Sequence, residues 1–231
     1  MGGLLQGKTA VLFDIDNTLL DYQKAATEGA SKFWQRFTAE LEEPLEAFVE
    51  RWLALTEKYH AEYAHGRLSF DEQRRIRMCE TFRRQLDDHT ADEYFQHYLG
   101  CYQESWALFD DVLPCLGRLE VNYTLGIITN GHIDHQILKV QRFDLEERFA
   151  VFVTPEVAGV AKPHPQIFHK ACQLLGVEPA HCIYVGDKHD VDAQAAVEAG
   201  LTGVWINRNN VIHHNHTSIR TIISLDELTH L

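Results

Sequence analysis

The second half of the chain alternates between short apolar runs and amphipathic segments. The apolar runs are rich in β-branched residues and most are apolar on both faces, which is typical of buried strands in a parallel sheet. They lie at 123–130 (YTLGIITN), 150–154 (AVFVT), 182–187 (CIYVGD), 203–207 (GVWIN) and, more weakly, 221–225 (TIISL). A similar run over residues 8–14 predicts a first strand near the start of the chain.

The amphipathic segments between these runs predict helices. In residues 163–176, apolar side chains recur on one helical face, and Gly176 is expected to end the helix. The segment 190–200, DVDAQAAVEAG, also ends at a glycine, Gly200. This alternation of strand and helix predicts a Rossmann-like α/β fold, in which helices flank an open parallel sheet.

The long stretch between the first two strands has a different pattern, with no convincing strand. Its aromatic, leucine and charged residues recur at helical spacing, as in EAFVERWLALTEKYHAEY over 46–63. Pro44, the region of Gly66 and the adjacent Asp87 and Asp88 divide it into three or four helices. The expected units are an α/β core formed by 1–20 and 109–231, and an inserted helical unit over 21–108.

Polar side chains stand where several of the predicted strands end. In parallel sheets, ligands bind beyond the carboxyl ends of the strands. The first strand leads to Asp14 and Asp16 in VLFDIDNTLL, residues 11–20. The other polar groups are Thr129 and Asn130, then Lys162 in GVAKPHP, then Asp187, Asp190 and Asp192 in VGDKHDVD. We therefore expect carboxylates, a hydroxyl and an ammonium group to share one crevice.

Carboxylates held close together raise one another's proton affinity, so a cation is expected to offset their repulsion. Mg²⁺ prefers oxygen ligands and typically takes one or two carboxylates together with substrate phosphate. Asp14 and Asp187 are the expected side-chain ligands, while Asp16 would ligate through its backbone carbonyl and keep its carboxylate for proton transfer. Lys162 and the Thr129 hydroxyl would then hold a phosphoryl group against a carboxylate nucleophile.

Composition narrows the class of partner. The 231-residue chain has a net charge of −13, which disfavours binding to nucleic-acid polymers or anionic membranes. No long apolar run and no basic leader is present, so we expect neither a membrane helix nor a signal peptide. Its five cysteines include no CxxC pair, so reduced thiols and a cytoplasmic location are expected. The expected oligomeric state is a monomer or a homodimer.

Four motifs occur in order, each in its strand context. They are DIDNTL at 14–19, ITN at 128–130, AKP at 161–163 and GDKHDVD at 186–192. With these motifs the chain resembles the haloacid dehalogenase superfamily, and its phosphatase branch in particular, over nearly its whole length. The resemblance implies that the core is the catalytic unit and that Mg²⁺ is the cofactor.

The resemblance implies roles for the residues that meet the reacting phosphate. Asp14 would be the nucleophile that forms an aspartyl-phosphate. Asp16 would protonate the leaving oxygen and would then activate water. Thr129 would hydrogen-bond the phosphate, with Asn130 contributing through its backbone N–H, and Lys162 would bridge Asp14 and the phosphate.

The other motif residues are expected to support this chemistry. Thr18 would support the turn after the first strand, and Asp187 would bind Mg²⁺ directly. Asp192 would act through water or by orienting Lys162. Asp16 also bears on the reaction class, because dehalogenases of the superfamily lack an acid at that position, so phosphate chemistry is favoured.

The inserted helices resemble the superfamily's helical cap, which closes over the site and recognises the leaving group. GIITNG, EVAGVAKPHPQIF and VWINRN are most similar to the branch that contains pyrimidine nucleotidases and N-acylneuraminate-9-phosphate phosphatase. A small phosphorylated metabolite is therefore the expected partner, with a pyrimidine nucleoside monophosphate as the first choice. A sugar-phosphate phosphatase or phosphomutase, a 2-haloacid dehalogenase and a catalytically silent phosphate-binding protein stay open as alternatives.

Three polar features are interpreted as structural rather than catalytic. Asp190 is expected to cap a helix rather than to bind metal. The charged run DEQRRIR over 71–77 is expected to form a solvated helix face. His213, His214 and His216 are expected to lie in a polar surface loop, because no acid or cysteine beside them supports a metal site.

Overall fold

The computed structural model describes residues 3–64, 66–210 and 219–228. The chain divides into two compact units, Met1–Asp21 with Leu108–Leu231, and Tyr22–Ala107. The three histidines at 213, 214 and 216 lie outside the described residues. None of the described helices is long and apolar enough to cross a membrane.

The first unit is built on a six-stranded parallel sheet with the strand order β3-β2-β1-β4-β5-β6. Its strands are β1 (Ala10–Phe13), β2 (Thr124–Ile128), β3 (Val151–Val153), β4 (Cys182–Gly186), β5 (Thr202–Ile206) and β6 (Arg220–Ile222). The predicted α/β fold with a parallel sheet is confirmed. Most strands are shorter than the apolar runs that predicted them, because those runs continue into loops that do not pair; β5 has the predicted length but begins one residue earlier.

The central position of β1 aligns the ends of three strands. Phe13, the last residue of β1, is level with Ile127 of β2 and Val185 of β4. The chain therefore leaves all three strands at the same edge of the sheet. All four residues of β1 are fully buried, which fits a strand that is apolar on both faces.

In the described part of this unit there are five α-helices. They are α5 (Val112–Leu119), α6 (Ile133–Arg142), α7 (Pro155–Ala158), α8 (Pro165–Leu175) and α9 (Ala195–Glu198). As predicted, α8 buries Ile167, Phe168 and Ala171 and ends at Gly176, whose left-handed backbone has φ +67°. Short 3₁₀ turns occur at Glu146–Arg148, Pro179–His181 and Leu225–Leu228.

The segment before α9 differs from the predicted single helix. It begins with one π-helical stretch, His189–Gln194, and Lys188 occupies the capping position without a side-chain hydrogen bond to the helix. The predicted capping role of Asp190 is therefore wrong. Its side chain is 74% exposed, and its Oδ1 lies 2.6 Å from Nδ1 of His189.

The second unit is helical, as predicted for the insertion. It contains α1 (Tyr22–Leu41), α2 (Leu45–Ala64), α3 (Phe70–Thr81) and α4 (Asp88–Glu104). Its interior is aromatic: Phe33, Trp52 and Tyr98 are buried, and the Trp52 and Tyr98 ring centroids lie 4.3 Å apart. These rings form the core of the helical unit, and its role as a cap stays a prediction.

The charged run in α3 is not wholly a solvated face. Arg75 does pair with Asp88 and Asp92 near the surface. Arg77, however, is only 2% exposed, and its guanidinium lies 4.6 Å from the centroid of the Trp52 ring. The prediction is wrong for Arg77, because the helical period turns this residue towards the aromatic interior.

Candidate active site

A buried ammonium group lies at the centre of the candidate site. Lys162 Nζ lies 2.8 Å from Oδ1 of Asp14, 2.6 Å from Oδ1 of Asp192 and 2.7 Å from the Tyr184 hydroxyl. Lys162 and Asp14 are each 6% exposed, and Asp192 is 1% exposed. The Tyr184 hydroxyl in turn donates to the Ile128 carbonyl at 2.8 Å. Each of the three ammonium protons therefore has an acceptor.

The backbone of Lys162 is fixed by Asn130. The Asn130 Oδ1 accepts from the Lys162 N–H at 2.8 Å, and its Nδ2 donates to the Lys162 carbonyl at 2.9 Å. These two hydrogen bonds tie the loop between α7 and α8 to the end of β2. Beside it, the buried Thr129 hydroxyl accepts from the Gly131 N–H at 3.2 Å, which leaves its own proton to donate.

Asp192 is seated directly against the end of β4. A Cβ at Gly186 would lie 2.5 Å from Cβ of Asp192, so only glycine leaves room for this carboxylate. The Asp192 Oδ2 accepts from the backbone N–H of Lys188 at 2.9 Å. Both oxygens of Asp192 are thus occupied, Oδ1 by the Lys162 ammonium and Oδ2 by the Lys188 N–H.

Three carboxylates converge beside this ammonium group. Oxygen atoms of Asp14, Asp187 and Asp192 all lie within 4.8 Å of one another, which is close enough to share a metal ion. Asp14 accepts from Lys162 through Oδ1 only, and Asp187 accepts from Asn17 at 3.4 Å. Asp14 and Asp187 therefore keep oxygens that could ligate a cation.

The electrostatics of the cluster favour a bound cation. Burial, together with the neighbouring Asp192 and Asp16, raises the pKa of Asp14 to about 6 despite the opposing charge of Lys162. Burial and the Asp14 and Asp192 charges raise the pKa of Asp187 to about 7. Burial disfavours the Lys162 ammonium, but the two carboxylates beside it outweigh burial and raise its pKa.

Asp16 lies apart from the three-carboxylate cluster and has its own partners. Lys139 Nζ lies 2.6 Å from Oδ1 and 2.9 Å from Oδ2 of Asp16. Gln136 Nε2 donates to Oδ2 at 2.9 Å. The sequence analysis predicted neither Lys139 nor Gln136 as a partner of Asp16. The available signal was a glutamine and a lysine three positions apart on the helix after the ITNG turn.

The turn after β1 is held by backbone groups rather than by the Thr18 hydroxyl. That hydroxyl is buried, and no described residue hydrogen-bonds to it. The Thr18 N–H donates to Ile15 at 3.2 Å, and its carbonyl accepts from Nη2 of Arg208 at 2.7 Å. Arg208 also forms two hydrogen bonds of 2.9 Å to Asp111. Support of the turn by Thr18 thus runs through its main chain, and Arg208 was not predicted.

Comparisons with known proteins show which family the sequence matches. The family described as haloacid dehalogenase-like hydrolase matches residues 8–200. The chain is similar to human N-acylneuraminate-9-phosphatase, with 28% identity over 88% of this chain and 84% of that protein. It is also similar to the Escherichia coli pyrimidine 5'-nucleotidase YjjG, with 33% identity over 50% of this chain and 52% of that protein.

A solved structure supports the same fold. The HAD hydrolase YfnB of Bacillus subtilis, described as bound to magnesium, superimposes with a TM-score of 0.79. The superposition covers 96% of this chain and 97% of that one, at 21% identity. At this identity the likeness concerns the fold, which both chains share over nearly their whole length.

Proposed function

The chain belongs to the haloacid dehalogenase-like hydrolase family, and we propose that it is a phosphatase that hydrolyses phosphate monoesters of small metabolites. The observation that carries the proposal is the buried contact of Lys162 with Asp14, beside two further carboxylates. A carboxylate nucleophile needs such a counter-charge, because a phosphate monoester brings negative charge to it. The names of the two relatives above, a phosphatase and a 5'-nucleotidase, support phosphate as the group transferred.

In the first step, an Asp14 oxygen attacks phosphorus, and the bond from phosphorus to the ester oxygen breaks. The Asp16 carboxyl group gives its proton to that oxygen, so the alcohol leaves neutral. The products of this step are an alcohol and an aspartyl-phosphate on Asp14. Lys162 and the Thr129 hydroxyl stabilise the charge on the phosphoryl oxygens throughout, together with the backbone N–H of Asn130.

In the second step, the Asp16 carboxylate takes a proton from water, and the water oxygen attacks phosphorus. The bond between phosphorus and the Asp14 oxygen breaks, which restores the Asp14 carboxylate and releases inorganic phosphate. The proton that Asp16 gains returns it to the form that starts the next cycle. Asp192 keeps Lys162 beside Asp14 in both steps through its 2.6 Å contact.

The donor set fits Mg²⁺, which is a hard cation that prefers oxygen ligands. Asp14 and Asp187 would hold the ion through their side chains, and Asp16 would do so through its backbone carbonyl. When bound, Mg²⁺ supplies positive charge to the nucleophile and to the phosphoryl oxygens. Burial and mutual repulsion of Asp14 and Asp187 support the assignment, because both effects are relieved by a divalent cation.

We expect the metal-free protein to lose stability as the pH rises from about 4 to about 7. Asp14 and Asp187 have pKa values of about 6 and about 7 in the folded chain, above the ordinary value of about 3.9. The folded state therefore binds more protons in this window, and the free energy of unfolding falls as the pH rises. Because Mg²⁺ binds the ionised carboxylates, it should raise the melting temperature more at pH 8 than at pH 5.

Melting curves in Mg²⁺ and in a chelator, at both pH values, check this expectation. In Asp187→Asn the repulsion is reduced, so the metal-free variant should melt at a higher temperature than the wild type at pH 8. The same variant should gain little from Mg²⁺. An Mg²⁺ effect of equal size at both pH values, or unchanged in the variant, would contradict the proposed metal site.

The substrate is proposed at the level of a small phosphorylated metabolite, in a cytoplasmic enzyme. A pyrimidine nucleoside monophosphate is the first choice from the sequence, and the similarity to YjjG over about half of each chain supports it. A phosphorylated sugar acid is the second, because the similarity to N-acylneuraminate-9-phosphatase covers most of both chains. Catalytic efficiencies on a panel that includes both classes, measured with and without Mg²⁺, test the proposal.

The same panel, extended with a 2-haloacid, separates the rival functions. A phosphomutase would return the phosphoryl group to a sugar instead of releasing inorganic phosphate. A 2-haloacid dehalogenase would release halide from a haloacid. Absence of turnover on every phosphate ester and haloacid would favour a silent phosphate-binding protein and would refute the proposed phosphatase.

A further inference from the structure

The carboxylate of Asp16 is held by two side chains of α6. Lys139 contacts both of its oxygens, at 2.6 and 2.9 Å, and the Gln136 amide donates to Oδ2 at 2.9 Å. These residues are separated from Asp16 by 123 and 120 positions along the chain, so the contacts exist only in the folded core. Nothing in the proposed phosphate or metal site requires either α6 residue.

The two members of the ion pair, Lys139 and Asp16, differ in how deeply they are buried. The Lys139 side chain is 6% exposed, whereas that of Asp16 is 28% exposed. The fixed partner is therefore the buried lysine, and the carboxylate is the group that faces solvent or a ligand. Burying an ammonium group is costly unless it is paired, so Lys139 favours conformations in which Asp16 stays against it.

The Gln136 amide is also buried, and it lies in a narrow space beside position 131. Gln136 is 2% exposed, and a Cβ at position 131 would lie 1.9 Å from its Nε2. Glycine at position 131 therefore leaves the room that this amide occupies beside Asp16. Residues 136 and 139 are three positions apart, which puts both side chains on one face of α6.

We propose that Lys139 and Gln136 are positioning residues for proton transfer. They fix the side-chain torsions of Asp16, so that its carboxyl group meets the ester oxygen in the first step and water in the second. This inference rests on the proposed phosphatase function. Proton transfer needs heavy atoms within hydrogen-bond reach, and a loosened carboxyl group loses much of the roughly 10²- to 10⁴-fold that such catalysis contributes.

The leaving group provides a test that a purely structural role would not satisfy. An alkoxide is a poor leaving group and needs the Asp16 proton, whereas p-nitrophenolate leaves without one. The kcat/KM value reports only the steps up to the first irreversible one, which here is phosphoryl transfer to Asp14. Loss of positioning should therefore lower kcat/KM for an alkyl phosphate and spare kcat/KM for p-nitrophenyl phosphate.

The experiment compares Lys139→Met and Gln136→Leu with the wild type on both esters, in saturating Mg²⁺. For Lys139→Met, we expect kcat/KM to fall about 10- to 100-fold on the alkyl ester and less than about threefold on the aryl ester. The second step uses Asp16 for either ester, so kcat on the aryl ester should fall and a burst of p-nitrophenolate should precede steady turnover. Gln136→Leu should show the same pattern with a smaller loss.

Two matched variants control for charge and folding. Lys139→Arg keeps the cation and should recover part of the alkyl-ester activity. Arg142→Met removes an exposed cation from the same helix and should behave as the wild type on both esters. Melting temperatures of all variants report whether the fold is retained.

Each outcome has a distinct meaning. Equal losses of kcat/KM on the two esters, or no loss of kcat/KM on either, would overturn the positioning role while leaving the phosphatase proposal intact. If the wild-type protein, with its fold intact, hydrolyses neither these two esters nor any phosphate ester of the substrate panel in Mg²⁺, the phosphatase proposal fails and the inference falls with it. Selective loss on the alkyl ester that Lys139→Arg partly reverses supports both.

Discussion

Asp14→Asn is expected to lower kcat on the best phosphate ester by about 10⁴-fold or more, because the amide cannot form the acyl-phosphate. The asparagine oxygen can still accept from Lys162, whose ammonium lies 2.8 Å from the carboxylate that is replaced. The fold should therefore persist, and a melting curve checks that it does. Steady-state kinetics with freshly purified variant measure the loss. Turnover within tenfold of the wild type would exclude Asp14 as the nucleophile.

Lys162→Met should damage both activity and stability. It leaves Asp14 and Asp192 buried without the ammonium that pairs them, and breaking a buried ion pair in this way costs about 3–5 kcal/mol. We expect kcat/KM to fall by about 10³-fold, since a counter-charge to the phosphoryl group is lost as well. Urea unfolding and steady-state kinetics measure the two effects. A control on α8, Lys170→Met, removes a lysine outside this network and should change neither quantity by much.

A double variant separates the two effects of Lys162. Lys162→Met with Asp192→Asn removes one of the unpaired carboxylates, so part of the lost stability should return while activity stays low. The stability loss of the single variant should also be smaller at pH 5, because burial raises the pKa of Asp14 to about 6 and its carboxylate can take up a proton there. A single variant as stable as the wild type at pH 8 would contradict the buried network described here.

The sequence predicts the sheet and the polar residues that gather at its edge, because both depend on local patterns. A short β-branched run that is apolar on both faces is typical of a covered strand, and the register of β1 brings Asp14 level with the ends of β2 and β4. Polar residues such as Thr129 and Asp187 that interrupt those runs are therefore expected at one edge of the sheet. These motifs can be recognised from residues that are close in sequence, without knowledge of contacts between distant parts of the chain.

What the sequence does not predict depends on contacts between distant parts of the chain. Lys139 sits on an amphipathic helix, where a lysine is ordinarily a surface residue, and only the fold brings it to Asp16. Arg208 meets the Thr18 carbonyl across 190 positions, and no local pattern marks that contact. Arg77 is similar, because nothing in the charged run over 71–77 distinguishes it as a residue whose guanidinium packs against Trp52.

The most direct test of the account is to trap the phosphoryl group on the protein during turnover. Quenched samples of enzyme, Mg²⁺ and phosphate ester are treated with borohydride, which reduces an aspartyl-phosphate to homoserine, and the peptides are analysed by mass spectrometry. Homoserine is expected at position 14 only, and its formation should depend on both substrate and Mg²⁺. Rapid hydrolysis that leaves Asp14 unmodified while another carboxylate is converted would contradict it.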